Sequence, residues 1–187
     1  MLEGRRVVLV HDWLNGMRGG EKCLEVLCEL FPEAPIYTLI HEEGRLSATI
    51  EAHRIVPSFI QHLPHGISHY RHFLPLFPTA IEQFRFDAYD LIISTSHCVA
   101  KGAKPGPETY HFSYVHAPMR YVWDLFDTYF RRTQTHPGVR IAAELVRPYL
   151  KNWDRRSTSR VHTLLCNSRN VRRKIREYYS REAQVIH

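Results

Sequence analysis

The sequence predicts an α/β fold in which helices cover both faces of a doubly wound parallel sheet. Six stretches rich in apolar and β-branched residues alternate with stretches whose apolar residues recur at helical spacing. Strands joined by such helices run parallel and are buried on both faces, and right-handed crossovers place helices on each side. With 187 residues and 44% hydrophobic content, the chain is long enough to form one folded domain.

The predicted strands are short apolar runs that end at polar or turn-forming residues. In chain order they are Val7–Val10, Pro35–Ile40, Ala52–Ser58, Asp90–Ser96, Thr109–His116 and Val161–Ser168. The intervening stretches predict helices at Glu21–Phe31, Ser68–Phe86, Met119–Phe130, Val139–Arg160 and Arg169–Tyr179. The closing residues, Arg181–His187, indicate the start of a further strand.

The segment Phe59–Phe84 departs from this regular alternation. It mixes large apolar residues and histidines with Pro64, Pro75 and Pro78, which predicts a helical but broken excursion. Such a segment fits a membrane interface or an acceptor groove, and it equally fits an ordinary packed pair of helices.

Charge is distributed unevenly along the chain. Residues Met1–Phe130 contain 11 basic and 15 acidic side chains, whereas Arg131–His187 contain 14 basic and 4 acidic ones. Such a basic segment fits nucleic acid, an anionic lipid surface or another protein, and it equally fits a solvated face that packs against a partner. No helix-turn-helix or RNA-recognition pattern accompanies the basic run Arg169–Tyr179, so we expect no nucleic-acid partner.

Neither a secretion signal nor an apolar window long enough for a membrane span is present in the sequence. The four cysteines include no C-x-x-C pair, which favours buried reduced thiols. We therefore expect a cytoplasmic protein, with peripheral contact to the inner face of the cytoplasmic membrane as an open alternative.

The stretch VVLVHDWLNGMRGGEK, from Val7 to Lys22, predicts a strand, a glycine-containing loop and the start of a helix. Its spacing matches neither the P-loop pattern G-x-x-x-x-G-K-[ST] nor the dinucleotide pattern G-x-G-x-x-G. What remains is the pair Gly19–Gly20 at a helix N-terminus, which lets a phosphate approach unpaired N–H groups. The alternative is that the glycines serve the turn alone.

Polar residues at the predicted strand ends form a second candidate site. His11 and Asp12 follow the first strand, His97 follows the fourth, and His116 ends the fifth. Ligands of open α/β sheets bind beyond the carboxyl ends of the strands, so these side chains are expected to share one crevice. A zinc site is disfavoured because the closely spaced histidines, His69 and His72, belong to the broken segment, and we expect no metal.

The stretch APMRYVWDLFDTYF, from Ala117 to Phe130, combines residues that suit a sugar. Arg120 can bind a carboxylate or phosphate, Tyr121 and Trp123 offer flat faces, and Asp124 can accept hydrogen bonds from hydroxyl groups. The alternative is an amphipathic helix whose aromatic residues belong to the core. Hydrolase chemistry lacks support, because the chain contains neither a G-x-S-x-G nor an H-E-x-x-H motif.

Taken in order, several of these stretches resemble the N-terminal half of bacterial family 4 glycosyltransferases, of the branch often described as mannosyltransferases. They are HDWLNGMRGGEKCLEVLCELFPEAPIYTL, YDLIISTSHCVAKG, YVHAPMRYVWD, WDRRS, LCNSRNVRRKIREYY and the closing VIH. The resemblance covers essentially the whole chain. It implies a GT-B architecture, with two Rossmann-like domains facing a cleft, retention of anomeric configuration and no metal or other cofactor.

The resemblance also implies roles for individual residues. Gly19 and Gly20, with Arg18 nearby, would contact the diphosphate of the donor, and His116 would orient the transferred sugar as the catalytic residue. The acceptor would be faced by the strand-end residues His11, Asp12 and His97 and by the later segment with Arg120, Tyr121, Trp123 and Asp124. The partners implied are a nucleotide-diphosphate sugar and a glycan or lipid-linked acceptor.

We expect residues 1–187 to form a single N-terminal, acceptor-side domain, with the C-terminal donor-binding domain of the family absent from this chain. The domain alone is then expected to fold but to have little or no transferase activity. Two other classes stay open. One is a non-catalytic module that binds a glycan, a lipid head group or a protein, and the other is a nicotinamide enzyme with Glu42 or Glu43 as its ribose-binding acid.

Overall fold

A parallel sheet organises the molecule, and the computed structural model describes residues 4–129 and 137–186. Within these residues, seven parallel strands lie in the order β3-β2-β1-β4-β5-β6-β7. They are β1 (Val7–His11), β2 (Ile36–Thr38), β3 (Ile55–Pro57), β4 (Leu91–Ser96), β5 (Tyr110–Val115), β6 (Thr163–Cys166) and β7 (Gln184–Val185). The predicted Rossmann-like, doubly wound α/β fold is therefore confirmed, including the strand at the end of the sequence.

Helices flank the sheet at most of the predicted places. The α-helices of the described chain are α1 (Gly19–Leu30), α2 (Ala48–Glu51), α3 (Phe77–Glu82), α4 (Phe126–Tyr129), α5 (Pro137–Ser157) and α6 (Arg169–Tyr179). Short 3-10 helices lie at Phe59–His62, Tyr70–Leu76, Ala100–Gly102 and Thr158–Arg160. Helix α2 has no counterpart in the prediction, whereas α6 has the predicted bounds.

Strand β1 shows why the central strands are continuously apolar. Val8 and Val10 belong to the large hydrophobic cluster on one face of the sheet. Leu9 points to the opposite face, where it joins Leu24 and Cys28 of α1. All three strand residues are fully buried. Because successive side chains of a strand alternate between faces, a strand covered on both sides needs apolar residues at every position.

The broken excursion predicted at Phe59–Phe84 is confirmed. Its described structure consists of two 3-10 helices followed by α3, with Pro75 inside the second 3-10 helix and Pro78 in the first turn of α3. Tyr70 and Phe77 are buried against Trp13, with ring centroids 5.1 and 6.3 Å from the indole. Much of the segment's aromatic surface therefore belongs to the core.

The helix predicted at Met119–Phe130 is wrong over most of its length. Residues 120–124 form turns, and α4 begins only at Phe126; Phe130 lies outside the described residues. Val122 N–H donates to the carbonyl of Met119 across three residues, at 3.1 Å, and both side chains are buried in the large cluster. Burial of Met119 and Val122 holds this segment in turns, although its apolar residues recur at helical spacing.

Candidate functional site

A cavity of about 550 Å³ lies at the carboxyl ends of the central strands. The strand order reverses direction between β1 and β4, because β1 leads to β2 and β3 on one side while β4 begins the other half of the sheet. Loops diverge at such a switch point and leave a crevice, which is the usual ligand site of open α/β sheets. The predicted crevice is therefore present.

The structure brings seven of the predicted site residues to the wall of this cavity. They are Arg18, Gly19, Gly20, His97, His116, Arg120 and Tyr121. His11 and Asp12 lie directly behind the wall and are fully buried. The described lining also includes residues that the sequence analysis did not select, namely Trp13, Glu21, Cys23, Arg71, Tyr114 and Asn167.

The three glycines of the loop after β1 differ in what the fold requires of them. Gly16 has a φ of +144°, a conformation that favours glycine, so it serves the turn. Gly19 and Gly20 are helical, and a Cβ atom at Gly19 would have no described atom within 4 Å. A Cβ atom at Gly20 would lie 3.5 Å from Cε1 of His11, an ordinary contact. The turn therefore explains Gly16 but neither member of the pair.

Helix α1 directs its N-terminus at the cavity. Its first N–H groups have no acceptor within the helix and carry the positive end of the helix dipole. The carboxylate of Glu21 accepts a hydrogen bond from the Arg18 N–H at 3.0 Å, which fixes the start of the helix. The Arg18 side chain donates to Oδ1 of Asn15 at 3.2 Å and remains at the cavity wall. The geometry suits an anionic ligand.

His11 presents a buried nitrogen toward Gly20. In the parallel pairing of β1 with β4, His11 lies beside Thr95. Nδ1 of His11 is 2.5 Å from Oγ1 of that threonine. Its Nε2 has no hydrogen-bond partner among the described residues and lies 3.7 Å from Oε1 of Glu21, beyond hydrogen-bond distance. Burial alone would raise the pKa of Glu21, but the neighbouring His11 side chain and the N–H group of Arg18 hold it below its usual value.

His116 lies across from His11 and also faces Gly20. Its Nε2 would be 3.8 Å from a Cβ atom at Gly20, and no described residue provides it with a hydrogen-bond partner. Burial, together with the charges of His11 and His97, lowers the pKa of His116 from 6.5 to about 4. The imidazole is therefore neutral near pH 7, and the ring lies at the cavity wall.

Asp12 organises the loop that follows β4. Its two carboxylate oxygens accept four backbone N–H groups at 2.6 to 2.9 Å, from His97, Cys98, Val99 and Ala100. Burial would raise the pKa of Asp12, but His97, His11 and these N–H groups hold it below its usual value. With no exposed surface and its oxygens engaged, Asp12 holds the loop in place rather than lining the cavity.

The same carboxylate orients His97. Nδ1 of His97 lies 3.1 Å from Oδ2 of Asp12, which favours a proton on that nitrogen. The ring packs edge-on against Trp13 with centroids 4.4 Å apart, and burial lowers the pKa of His97 below its usual value. A neutral ring with its proton on Nδ1 leaves Nε2 as a hydrogen-bond acceptor.

Trp123 and Asp124, which were predicted to face the acceptor, do not line the cavity in this structure. The Trp123 ring stacks on Tyr178 with centroids 4.5 Å apart, and its Nε1 donates to Asp154 at 2.7 Å. The carboxylate of Asp124 accepts from Tyr178 at 2.5 Å and pairs with Lys174. Trp123 thus joins the segment after β5 to helices α5 and α6, and Asp124 joins it to α6.

The basic C-terminal segment is partly neutralised within the domain. Arg172 and Arg176 of α6 pair with Glu182 at 3.4 and 2.6 Å. Arg131 and Arg132 lie outside the described residues. In the part of the chain that the structure covers, no helix is both long and apolar enough to cross a bilayer.

The cysteines are free thiols, as predicted, but one of them is not buried. Cys28, Cys98 and Cys166 are buried, whereas Cys23 is partly exposed and lines the cavity. Within residues 4–129 and 137–186, no group of three or more histidine, cysteine, aspartate or glutamate side chains is placed to hold a metal ion. The described cavity wall carries guanidinium groups, the Glu21 carboxylate and the Cys23 thiol beside its other polar groups.

The lowered pKa of His116 predicts a stability change with pH. Between its usual pKa of 6.5 and the folded value of about 4, the unfolded chain binds a proton that the folded chain does not. The contribution of His116 to the free energy of unfolding is thus complete above pH 6.5. It decreases by about 1.4 kcal/mol per pH unit as the pH falls toward 4. Urea unfolding at several pH values measures this slope.

A variant isolates the contribution of His116 to that slope. His116→Gln removes the titrating group, so its free energy of unfolding should fall less steeply with acid than that of the wild type over this window. His69→Gln, on the protein surface, is the control. Parallel pH curves for wild type and His116→Gln would contradict the burial-driven shift.

Comparison of the whole chain with known protein families and with curated proteins finds no match.

Proposed function

We propose that this chain is the acceptor-side domain of a retaining glycosyltransferase with a GT-B architecture. In this proposal the domain acts with a second, donor-binding domain to move a hexosyl group, mannosyl in the branch that the sequence resembles. The donor is a nucleotide-diphosphate sugar, and the acceptor is a glycan or a lipid-linked sugar. The proposed place of action is the cytoplasm, at the inner face of the membrane when the acceptor is a lipid.

One observation carries the proposal, which is the glycine pair at the N-terminus of α1, on the wall of the cavity. The turn requires neither glycine, and a Cβ atom at Gly19 would meet open space. Without side chains, the pair lets a phosphate approach the first N–H groups of the helix, which have no acceptor within it. The ring of His116 lies at the same wall, beside Gly20.

The remaining cavity wall suits a sugar next to that phosphate. His97 offers a hydrogen-bond acceptor, and Arg120 and Tyr121, from the segment after β5, line the same cavity. Departure of a nucleoside diphosphate from an anomeric carbon develops negative charge on the leaving phosphate. Fixed N–H dipoles and the Arg18 guanidinium stabilise that charge without reorganising during the reaction. A neutral His116 contributes by orienting the sugar.

Replacing Gly20 with alanine is expected to stabilise the fold while weakening phosphate binding. The added methyl group fits the helix without strain and reduces the freedom of the unfolded chain, which raises the free energy of unfolding by about 0.4–1 kcal/mol. The same methyl group lies against the rings of His11 and His116, beside the N–H groups that are proposed to bind phosphate. Calorimetric titration with pyrophosphate should then show at least about tenfold weaker binding, the equivalent of one lost hydrogen bond.

Gly138→Ala is the matched control, because Gly138 lies in the first turn of α5 and does not line the cavity. It should leave pyrophosphate affinity unchanged. Equal pyrophosphate affinity of wild type and Gly20→Ala would show that the glycine pair does not contact phosphate.

The transferase reaction itself is tested on the complete protein that contains this chain. A panel of nucleotide-diphosphate sugars is incubated with membrane and glycan acceptors, and release of nucleoside diphosphate and the anomeric configuration of the product are measured. We expect His116→Ala to lower kcat about 10- to 100-fold, the effect of losing a hydrogen bond to a charged or reacting group. His53→Ala, whose ring bonds Ala34 away from the cavity, is the control.

The outcomes separate the transferase from a non-catalytic binding module. Turnover with retained configuration and a selective loss in His116→Ala support the transferase. Binding of a glycan or head group without turnover of any donor would favour the binding module instead. Unchanged kcat in His116→Ala would remove this histidine from the reaction.

A further inference from the structure

The described wall of the site cavity carries more positive than negative charge. Three guanidinium groups line it, namely those of Arg18, Arg71 and Arg120. One carboxylate, that of Glu21, lies in the same described wall. Burial lowers the pKa of both histidines of the wall, His97 and His116, so neither ring adds charge near pH 7. The cavity therefore favours anionic groups on whatever it binds.

The three guanidinium groups have no acidic partner in the part of the chain that the structure describes. None of them forms a salt bridge there, whereas Arg160 and Arg176 pair with Glu82 and Glu182 at 2.6 Å. The Arg18 side chain donates to a neutral amide oxygen instead. Guanidinium groups without a carboxylate partner, gathered around one cavity, can form charge-assisted hydrogen bonds with a ligand.

Arg71 is held at the wall by two tyrosines. Its guanidinium lies over the Tyr70 ring, 5.1 Å from the ring centroid. Burial would lower the pKa of Arg71, but the hydroxyl groups of Tyr70 and Tyr121 beside it hold that pKa above its usual value. A guanidinium has five N–H donors, so contacts with two hydroxyl groups leave donors for a ligand. Tyr121 also links Arg71 to the segment that carries Arg120.

The three arginines belong to two separate parts of the cavity wall. Arg18 stands at the start of α1, beside the Gly19 and Gly20 N–H groups that are proposed to bind the diphosphate. Arg71 comes from a 3-10 helix and Arg120 from the segment after β5. A diphosphate at the start of α1 uses the helix N-terminus and the nearest guanidinium. The other two guanidinium groups are then left for a second anionic group.

The charge of the wall favours a carboxylate as this second group. With the Glu21 carboxylate included, the described wall has a net of two positive charges. A diphosphate esterified at both ends brings about two negative charges, one for each phosphate. A phosphate monoester would add about 1.5–2 more, whereas a carboxylate adds one. A planar carboxylate also matches the planar fork of a guanidinium group.

We propose that the acceptor is an acidic sugar, a uronic acid, whose carboxylate is bound by Arg71 and Arg120. The inference rests on the proposed function and narrows its acceptor to a sugar with a carboxylate. Tyr114 and Tyr121 line the same cavity and offer ring surface to the apolar face of that sugar.

The test compares sugars of equal shape that differ in charge. The 187-residue protein is titrated with the methyl glycosides of glucuronic, galacturonic and mannuronic acid and with the uncharged amide of each, and NMR chemical shifts measure the affinity. At least one carboxylate should bind about tenfold more tightly than its amide, the effect of a hydrogen bond between charged groups. Arg71→Met and Arg120→Met should each remove most of this preference.

Controls separate the carboxylate position from general charge and from the diphosphate position. Arg156→Met removes an exposed cation of α5 that does not line the cavity, and it should keep the full preference. Saturating pyrophosphate should leave the uronate bound to the wild type. Arg120 is exposed, so Arg120→Met decides alone if circular dichroism shows that Arg71→Met is unfolded. Equal affinity for every carboxylate and its amide, displacement by pyrophosphate, or a preference that persists in the folded arginine variants would overturn the proposal.

The remaining outcomes separate this proposal from other ligands and from the proposed reaction. Tighter binding of glucose 6-phosphate than of any uronate, lost in the same arginine variants, would assign the position to a phosphate and overturn the carboxylate. A preference that depends on Arg71 and Arg120, in a complete protein without transferase turnover, would support the acidic-sugar site while the proposed reaction fails. Turnover as fast with neutral acceptors as with uronate acceptors would support the reaction and overturn the acidic acceptor.

Discussion

Replacing Asp12 with asparagine is expected to lower the free energy of unfolding by about 4 kcal/mol. One carboxylate accepts four backbone N–H groups of the loop after β4, at 2.6 to 2.9 Å. An amide keeps one acceptor oxygen and places an NH₂ group against donors, so buried N–H groups lose their acceptor. Each such loss costs about 1–3 kcal/mol, more when the lost acceptor is charged. Urea unfolding at neutral pH measures the difference.

The control for this prediction is Asp127→Asn, because the Asp127 side chain is 83% exposed. It should change the free energy of unfolding by less than about 0.5 kcal/mol. A loss below about 1 kcal/mol in Asp12→Asn would mean that the loop does not depend on this carboxylate. Because Asp12 also orients His97, the variant should weaken ligand binding even where it remains folded.

Replacing Asp154 with alanine is expected to destabilise the protein by about 3–5 kcal/mol, since it leaves a buried charge without its partner. Lys101 is fully buried, and its Nζ lies 2.5 Å from Oδ1 of Asp154. The same carboxylate accepts from Nε1 of Trp123 and from the hydroxyl of Tyr179, each at 2.7 Å. The network thus joins the loop after β4 to helices α5 and α6.

A double variant distinguishes the lost charge pair from general damage. Lys101→Met combined with Asp154→Leu removes both charges and fills the space with hydrocarbon, so the double variant should be more stable than Asp154→Ala by the cost of the unpaired Lys101 charge. The loss of the acceptor for Trp123 and Tyr179 remains in both variants. Thermal and urea unfolding of the two single variants and the double variant measure the coupling. A double variant as unstable as Asp154→Ala would contradict the charge-based explanation.

The fold was largely predictable because its strands are buried on both faces. The run DLIISTS predicts β4, and its consecutive apolar residues indicate a central strand that is covered on both faces. Strand ends were predictable for the same reason, since polar His11 and His97 interrupt apolar runs at one edge. The segment after Met119 was predicted less well, because helical spacing does not show that buried Met119 and Val122 hold it in turns.

The candidate site was predictable where topology alone places a residue. His97 and His116 follow strands, and the same rule applied to β6 would have selected Asn167. Arg71 reaches the cavity from a 3-10 helix, whose direction no local pattern indicates. Trp123 and Asp124 suit a sugar by residue type, but stacking on Tyr178 and pairing with Lys174 turn them away from the cavity.

For Asp12, residue type and position at a strand end did not predict the role of the side chain. A carboxylate beyond a parallel strand suggests a ligand contact, yet here the backbone of a neighbouring loop uses both of its oxygens. The role that emerges is indirect, because Asp12 holds the loop and orients His97. Residue type and topology locate such a group, whereas hydrogen-bond geometry assigns its role.

In the proposed function, the N-terminus of α1 binds the diphosphate of a sugar nucleotide at Gly19 and Gly20. The most direct test of this binding is a titration of protein labelled with ¹⁵N-glycine, in which the amide resonances of individual glycines are followed as a nucleotide-diphosphate sugar is added. We predict saturable shifts of Gly19 and Gly20, with Gly44 and Gly106, which do not line the cavity, unchanged. Unmoved Gly19 and Gly20 resonances at saturating sugar nucleotide would contradict the claim.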